Sequence, residues 1–308
     1  MTKRRVLLAG GSGFIGRHLA QKLIAENITP VVVDWVEPKI EGCEYRSADI
    51  RTLADLLPGL LEAVEAVYLL AWTTKPQSAN DDPGYDLSSN VLAGVHLLDG
   101  MLKLTKRPRL IFVSTGGAVY GAVEQQPITE AVTPLPIGAY GLSKWTFEQY
   151  LMLYHRIHDL EYLIYRPGNP YGEYQDSTAG QGAVAVFLGK IARNETIQVW
   201  GDGNVVRDYL HISDLVEALY LGLEYRVKDQ QRIFNVGSGK GESLAELIEL
   251  LRAVCAKEIA VEYLPGRKVD VPKVILDYSK AQKYLGWSPK IFMRQGLAQT
   301  WAWVQTCE

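Results

Sequence analysis

A strand that runs straight into a glycine turn constrains this chain more than any other feature. Val6-Leu7-Leu8-Ala9 leads into Gly10-Gly11-Ser12-Gly13-Phe14-Ile15-Gly16, and a helical pattern follows at once. Glycines at 10, 13 and 16 let the backbone approach a pyrophosphate with no Cβ in the way. The helix start aims unpaired N–H groups and the positive dipole end at the same spot. Turns of this kind also serve tight packing alone, so the context decides. Thr29-Pro30-Val31-Val32-Val33-Asp34 reads as a strand buried on both faces and ending in an acid. Asp34 stands 18 residues beyond Gly16, near the ~20-residue offset of a carboxylate that binds adenosine ribose hydroxyls. A carboxylate there repels a 2′-phosphate, which points to NAD over NADP; the alternative is a solvated strand-end acid.

The elements that follow alternate. Strands are expected at about 44–50, 66–72, 110–114 and 161–166, with helices at about 13–26, 52–58, 84–104 and from 139 onward. This pattern predicts an α/β fold with a doubly wound parallel sheet. Asp49 and Ile50 would close one strand beside the adenine, and Leu70, Ala71 and Trp72 would end another near the pyrophosphate. Residues 73–84 read as a loop at the carboxyl edge of the sheet, where function concentrates, and Asn90 falls on the helix after it. Tyr140 and Lys144, four apart on one helix face, are candidate catalytic residues. An ammonium beside a phenol lowers the phenol pKa from ~10, which would make Tyr140 a base near neutrality. Tyr-x-x-x-Lys alone equally describes an amphipathic surface pair; after strand five of a dinucleotide fold it is far more specific.

In the C-terminal part, Asn169-Pro170 reads as a turn that projects Asn169 toward a ligand. Residues 183–192 read as a helix and 197–200 as a short strand, and Ser243–Glu246 and Ser279–Gln282 read as capping boxes. A dinucleotide domain over 1–168 and a smaller substrate domain over 169–308 are expected, with the boundary interleaved and the site between them.

Composition removes several function classes. The 32 basic and 35 acidic residues give a net charge of −3, which offers no footprint for nucleic acid or a membrane surface. No apolar run reaches ~18 residues, so no membrane span is expected. Cys43, Cys255 and Cys307 are scattered, which suits a reducing cytoplasm. His18, His96, His155, His158 and His211 show no ligand spacing, and no metal site is expected.

Together these residues resemble the extended short-chain dehydrogenase/reductase family, particularly its nucleotide-sugar epimerases and dehydratases. The resemblance covers nearly the whole chain. It is carried by the glycine turn, Asp34, Asp49-Ile50, Val119-Tyr120-Gly121, Tyr140 with Lys144, and Arg166-Pro167-Gly168-Asn169-Pro170-Tyr171-Gly172. Val199-Trp200-Gly201-Asp202-Gly203, Val206-Arg207-Asp208-Tyr209, Phe234-Asn235-Val236-Gly237 and a late Arg267 and Asp270 extend it. The resemblance implies a Rossmann-type fold and NAD as cofactor. The implied NAD contacts come from Gly10, Gly13, Phe14, Ile15, Gly16, Asp34, Asp49, Ile50, Leu70, Ala71, Trp72, Asn90, Ser114, Tyr140, Lys144 and Pro167. It also implies a nucleotide-sugar site at Asn169, Val184, Val199, Trp200, Arg207, Tyr209, Arg267, Asp270 and Val274. Asn169, Arg207 and Arg267 would hold the diphosphate, for which guanidinium forks are suited. Arg207 paired with Asp208 at the surface is the other reading.

For the reaction, the resemblance implies that Tyr140 takes the proton of the sugar 4-hydroxyl while hydride leaves C4, and that the 4-ketose turns before hydride returns. Dehydratases of the family carry an Asp-Glu pair just before Val-Tyr-Gly. Here those positions are Gly117 and Ala118, which transfer no proton, so 4-epimerisation is expected. Gly116 stands where the family has a catalytic Ser or Thr; Thr115 or Ser114 is left to supply the hydroxyl, and Thr115 is taken as the third catalytic residue. In galactose-restricted bacterial epimerases a tyrosine four residues beyond the late aspartate crowds the C2 substituent. Val274 holds that place here and leaves room for an N-acetyl group, which favours UDP-GlcNAc/UDP-GalNAc. UDP-Glc/UDP-Gal, a lipid-diphosphate-linked GlcNAc, a ketosugar reductase and a non-catalytic NAD-binding protein remain as alternatives. A homodimer through helices 84–104 and 138–158 is expected, with Val91, Leu97, Leu98, Leu151 and Tyr154 as either its interface or ordinary core.

Overall fold

The computed structural model describes residues 3–53, 59–61, 64–178, 180–266 and 271–307. Its first strands are β1 (Arg5–Ala9), β2 (Thr29–Asp34), β3 (Glu44–Ser47), β4 (Val64–Leu69), β5 (Arg109–Val113) and β6 (Tyr162–Pro167). Then come β7 (Asn169–Tyr171), β8 (Ile197–Trp200), β9 (Val206–Arg207), β10 (Tyr209–His211), β11 (Ile233–Val236), β12 (Glu242–Ser243), β13 (Val261–Leu264) and β14 (Lys273–Val274). Seven of them form one parallel sheet in the order β11-β6-β5-β4-β1-β2-β3. The order reverses at β1, which opens a crevice at the carboxyl ends of β1 and β4.

Alternation along each strand supplies two cores. Leu8, Val32, Tyr68 and Ile111 face helices Phe14–Ala25 and Ile212–Glu224, while Leu7, Val31, Val67 and Phe112 face Leu97, Leu98, Phe147 and Leu151. Both faces of the sheet are therefore dry, which is why its strands read as unbroken apolar runs. A third core gathers Val184, Phe187, Val199, Tyr209, Leu247, Leu251, Leu297 and Trp301 in the C-terminal part. That part is not a simple continuation of the chain, because β11 and helix Ile212–Glu224 return to the sheet.

Several expectations are corrected. The segment 73–84 is not all loop: it contains helices Pro76–Asp81 and the start of Pro83–Asp86, each with proline in its first turn. The long helix after it is interrupted by a π-helical stretch, Leu87–Leu92, before it continues as Ala93–Leu102. Asn169 lies in β7, parallel to β10, instead of in a turn. The Ser243 capping box forms, but at Ser279 it does not: Tyr278 is the cap, and the Ser279 amide donates to Asp277 Oδ1. Of the helix expected at 52–58, residues 54–58 lie outside the described residues. Val91, Leu97, Leu98 and Leu151 are core, and Tyr154 is occupied by a hydrogen bond to Asp99.

Inside the sheet–helix layer lies a fully buried ion pair. Glu148, on helix Ala139–His158, accepts from Arg166 of β6, with Arg166 Nε 3.1 Å from each carboxylate oxygen. Arg166 Nη1 donates to the Tyr120 hydroxyl (2.8 Å), which donates to Asn235 Oδ1 (2.7 Å), and the Ser114 hydroxyl donates to Glu148. Removing one partner of such a pair strands the other charge in a dry interior. E148L is expected to cost about 3–5 kcal/mol of unfolding free energy in a denaturant titration. The double variant E148L/R166M should regain most of that loss.

Candidate active site

The glycine turn is held by its neighbours before any ligand is considered. Gly10 adopts φ +88°, a conformation that favours glycine, and donates its N–H to Val33 O at 2.9 Å. A Cβ on it would stand 2.5 Å from the Ala71 nitrogen; on Gly16 it would stand 2.5 Å from Gly10 O and Gly11 Cα. Gly10 and Gly16 therefore let β4 and helix Phe14–Ala25 close onto the turn. Gly13 differs: its Cβ would meet only Gly10 O, at 3.4 Å. Gly13 caps the helix without a side-chain hydrogen bond, and no acidic residue occupies the first turn. An open, uncapped helix start is what a pyrophosphate requires. Phe14 and Ile15 open that helix and pack against the first core.

Asp34 is fixed at the end of β2. Its Oδ2 accepts from the Ser12 amide (3.0 Å) and its Oδ1 from the Trp35 amide (2.7 Å), so the carboxylate stands beside the turn. Asp49 is engaged locally: hydrogen bonding from Arg51 holds its carboxyl below the usual range, and it caps the short turn Ile50–Thr52. Leu70 and Ala71 donate their amides to Ala9 O, both at 2.9 Å. Uncapped helix start, open Gly13 face and ribose-side acid together fit a dinucleotide.

Tyr140 is the second residue of helix Ala139–His158. One turn on, Lys144 donates to Val113 O (2.8 Å), with its Nζ 4.1 Å from the Trp72 ring centroid, 4.8 Å from that of Phe112 and 5.8 Å from that of Tyr140. The expected lowering of the phenol pKa is corrected. Burial pushes Tyr140 up to about 12, with the Asp86 charge adding to it. Burial also pulls Lys144 down to about 7, against the opposing influence of Glu148 and Asp86. Desolvation dominates both shifts because the ammonium is turned toward a carbonyl and aromatic faces. In the protein alone, Lys144 is the member of the pair that titrates near neutrality.

The remaining residues divide into those that meet at Gly117 and those that do not. Asn169 Oδ1 is buried with no hydrogen-bond partner among the described residues, and it lies 3.5 Å from where a Cβ on Gly117 would stand. Thr115 Oγ1 lies 3.8 Å from that same point. Thr115, Asn169 and the bare backbone of Gly117 thus share one face. A Cβ on Gly116 would instead meet Leu276 at 2.5 Å and Arg166 O at 3.1 Å. A hydroxyl at 116 has no room here, which accounts for the glycine. Ser114 is spent on Glu148. Asn90 accepts from the Thr73 amide (2.7 Å) and donates to Thr74 and Asp86, so it holds the chain after β4. Pro167 ends β6. On the substrate side, Val184, Val199 and Tyr209 belong to the third core, and Trp200 is 42% exposed on β8. Arg207 donates to Val271 O (2.7 Å), and Val274 pairs with it in register across β9 and β14. Arg267 and Asp270 lie outside the described residues.

Four carboxylates among the described residues are buried, Asp86, Glu148, Asp208 and Asp214. An acid on a helix looks the same in sequence whether it faces water or a core, so Asp86, Glu148 and Asp214 carry no local signal of burial. Asp208 was weighed as a surface partner for Arg207, but it is fully buried and burial pushes it up to about 6. It accepts from the amides of Ser238 (2.6 Å) and Leu276 (3.0 Å), which ties β9–β10 to the loops flanking the site.

The fold, the glycine turn and the Tyr140–Lys144 pair define a dinucleotide-dependent enzyme of the Rossmann class. The sequence matches the NAD dependent epimerase/dehydratase family over residues 6–237. A putative UDP-glucose 4-epimerase of Methanocaldococcus jannaschii is 32% identical over 97% of this chain and 98% of its own length. Among solved structures, a UDP-glucose 4-epimerase of Thermotoga maritima with UDP-glucose is 34% identical, with a TM-score of 0.91 over 98% of this chain and 99% of that one. A UDP-N-acetylglucosamine 4-epimerase of Methanobrevibacter ruminantium M1, in complex with UDP-N-acetylmuramic acid, is 25% identical with a TM-score of 0.90 and covers 100% of both chains. The chain belongs to the NAD-dependent epimerase/dehydratase family and is an enzyme whose cofactor is NAD. G16V should force the helix off the turn. The expected outcome is loss of co-purifying NAD, read from the 260/280 nm absorbance ratio and enzymatic assay of the denatured supernatant.

Proposed function

We propose that this protein interconverts the C4 epimers of a UDP-hexose, with UDP-GlcNAc/UDP-GalNAc as the substrate pair. The observation that carries the reading is the convergence of Thr115, Asn169 and glycine backbone at 117, where helix Gly116–Val119 packs against the helix that bears half-buried Tyr140 and buried Lys144. NAD, when bound, supplies a hydride acceptor and donor for C4. The chain's own residues handle the proton and the position. Tyr140 accepts the proton of the 4-hydroxyl while Lys144, one helical turn on, stands by as an ammonium that favours the phenolate. The Thr115 hydroxyl orients the 4-oxygen, and the Asn169 amide, whose oxygen meets no donor among the described residues, is left for the ligand. Gly117 and Ala118 provide no acid or base for elimination across C5 and C6. The N-acetyl reading rests on the valine at 274 through the family resemblance alone, since its side chain packs in the core with Val119 and Leu276. A UDP-Glc/UDP-Gal pair is the second reading, favoured by the activities named for the Methanocaldococcus and Thermotoga relatives.

Proton NMR of the purified protein with each UDP-sugar tests the assignment. Conversion of UDP-GlcNAc is expected; turnover of UDP-Glc with UDP-GlcNAc unchanged would move the protein to the second reading. No turnover of either, with activity on a polyprenyl-diphosphate-linked GlcNAc, would point to the lipid-linked form. Y140F should lower kcat by at least about 10³-fold and T115V by about 10²-fold, in keeping with the loss of an acid–base group and of one hydrogen bond to the reacting oxygen.

A homodimer is part of the proposal. Leu87 and Leu92, with Tyr150, Leu153 and Ile157 spaced along one face of helix Ala139–His158, are exposed apolar side chains on adjacent elements. A contiguous apolar surface of this kind marks an interface. Light scattering should give twice the chain mass for the wild type and the monomer mass for L153E/I157E.

A further inference from the structure

The ammonium of Lys144 lies in a dry layer with little hydrogen bonding to hold it there. Lys144 is 3% exposed, and among the described residues its Nζ has one acceptor, Val113 O at 2.8 Å, and no ion pair. Glu148, one turn on, is spent on Arg166 and Ser114. Aromatic faces take up much of the remaining shell. The Nζ stands 4.1 Å from the Trp72 ring centroid, 4.8 Å from that of Phe112 and 5.8 Å from that of Tyr140. A cation within ~6 Å of a ring face is attracted by the ring quadrupole, most strongly by tryptophan and more so when water is excluded.

The indole is fixed by its backbone and by its neighbours. Residue 72 lies between Ala71, whose amide donates to Ala9 O (2.9 Å), and Thr73, whose amide donates to Asn90 Oδ1 (2.7 Å). The ring packs against Phe112 of β5, with centroids 5.6 Å apart, and against Phe147 at 6.3 Å; those two meet edge to face at 4.9 Å. Gly94 makes room for this stack, because a Cβ there would stand 2.4 Å from the Phe147 ring. Trp72 Nε1 is buried with no hydrogen-bond partner among the described residues. An indole that only filled space would leave that N–H unpaired, a cost that phenylalanine or leucine avoids. What tryptophan offers in their place is the strongest ring face for a cation.

We propose that Trp72 is a positioning residue of the catalytic centre: its ring face, backed by Phe112 and Phe147, holds the Lys144 ammonium in the dry layer, one turn from Tyr140, as the cation that favours the phenolate. The inference rests on the reading of Tyr140 and Lys144 as the catalytic pair. The sequence resemblance places Trp72 among the NAD contacts after β4; the geometry adds a task toward the lysine.

W72L removes the ring and keeps an apolar side chain, and W72F keeps an aromatic face without the N–H. The test uses NAD-loaded enzyme, with each variant shown to be folded by circular dichroism, and whichever of UDP-GlcNAc and UDP-Glc the wild type converts. W72L should lower kcat about tenfold with KM for the sugar nucleotide unchanged, and the conservative W72F should recover most of that loss. In a K144M background W72L should cause no further loss, since the partner of the ring is gone. A readout independent of turnover is the ring-current shift of the Lys144 ε-methylene in 13C-lysine-labelled protein, assigned with K144M. It should lie upfield in the wild type and in W72F and move toward the free-lysine position in W72L. Equal losses in W72F and W72L, or a W72L loss that persists undiminished in K144M, would make Trp72 a packing residue and overturn the proposal. Full activity of K144M would instead remove the catalytic reading of Lys144, and the ε-methylene shift would still decide whether the ring holds the ammonium.

Discussion

Burial of a charged pair, Glu148 with Arg166, is the constraint on which the arrangement around Tyr140 depends. A carboxylate cannot stay ionised in a dry interior without a close partner and saturated hydrogen bonds. Meeting that demand fixes helix Ala139–His158 against β6 through Arg166, against the end of β5 through Ser114, and against β11 through Tyr120 and Asn235. Tyr140 and Lys144 lie two turns and one turn before Glu148 on the same helix, so their placement follows from how that carboxylate is satisfied. Tyr140 and Lys144 are thus positioned by a buried polar cluster on the far part of their own helix.

The same dryness governs the electrostatics. Tyr140, Lys144 and Asp86 share a region where each charge is costly, and the phenol and the amine move in opposite directions from their usual values. A phenol made more basic and an amine made less so move apart in proton affinity, so in the protein alone the phenol keeps its proton. Its use as a base therefore depends on the Lys144 ammonium and on what a bound dinucleotide adds.

What could be read from the sequence was what is encoded locally. The glycine turn, the strand-end Asp34 and the four-residue spacing of Tyr140 and Lys144 each state their geometry within one element. The seven-stranded sheet followed from alternation of apolar strands and helices. Asp86, Glu148 and Asp208 were not legible, because an acid on a helix or a short strand has the same sequence appearance whether it faces water or a core. Only tertiary packing distinguishes the two. The Tyr140 shift was misjudged for a related reason: spacing places a lysine beside a phenol but says nothing of how much water either one loses. At Asn169 pairing with a distant strand overrode a local turn preference, and at Ser279 the neighbouring Asp277 carboxylate takes the amide that a capping box would have used.

Leu276 against Gly116 has a consequence for how this site can change over generations. With the leucine methyl and the Arg166 carbonyl closing in on position 116, a serine arriving there first would have to displace a fully buried side chain. A smaller residue at 276 first would open the space at the cost of a cavity. The order of replacement therefore matters, and each first step lowers stability before any hydroxyl can serve. Positions 116 and 276 are therefore tied to one another: a side chain at 116 and a smaller residue at 276 fit together, while either alone crowds or hollows the packing.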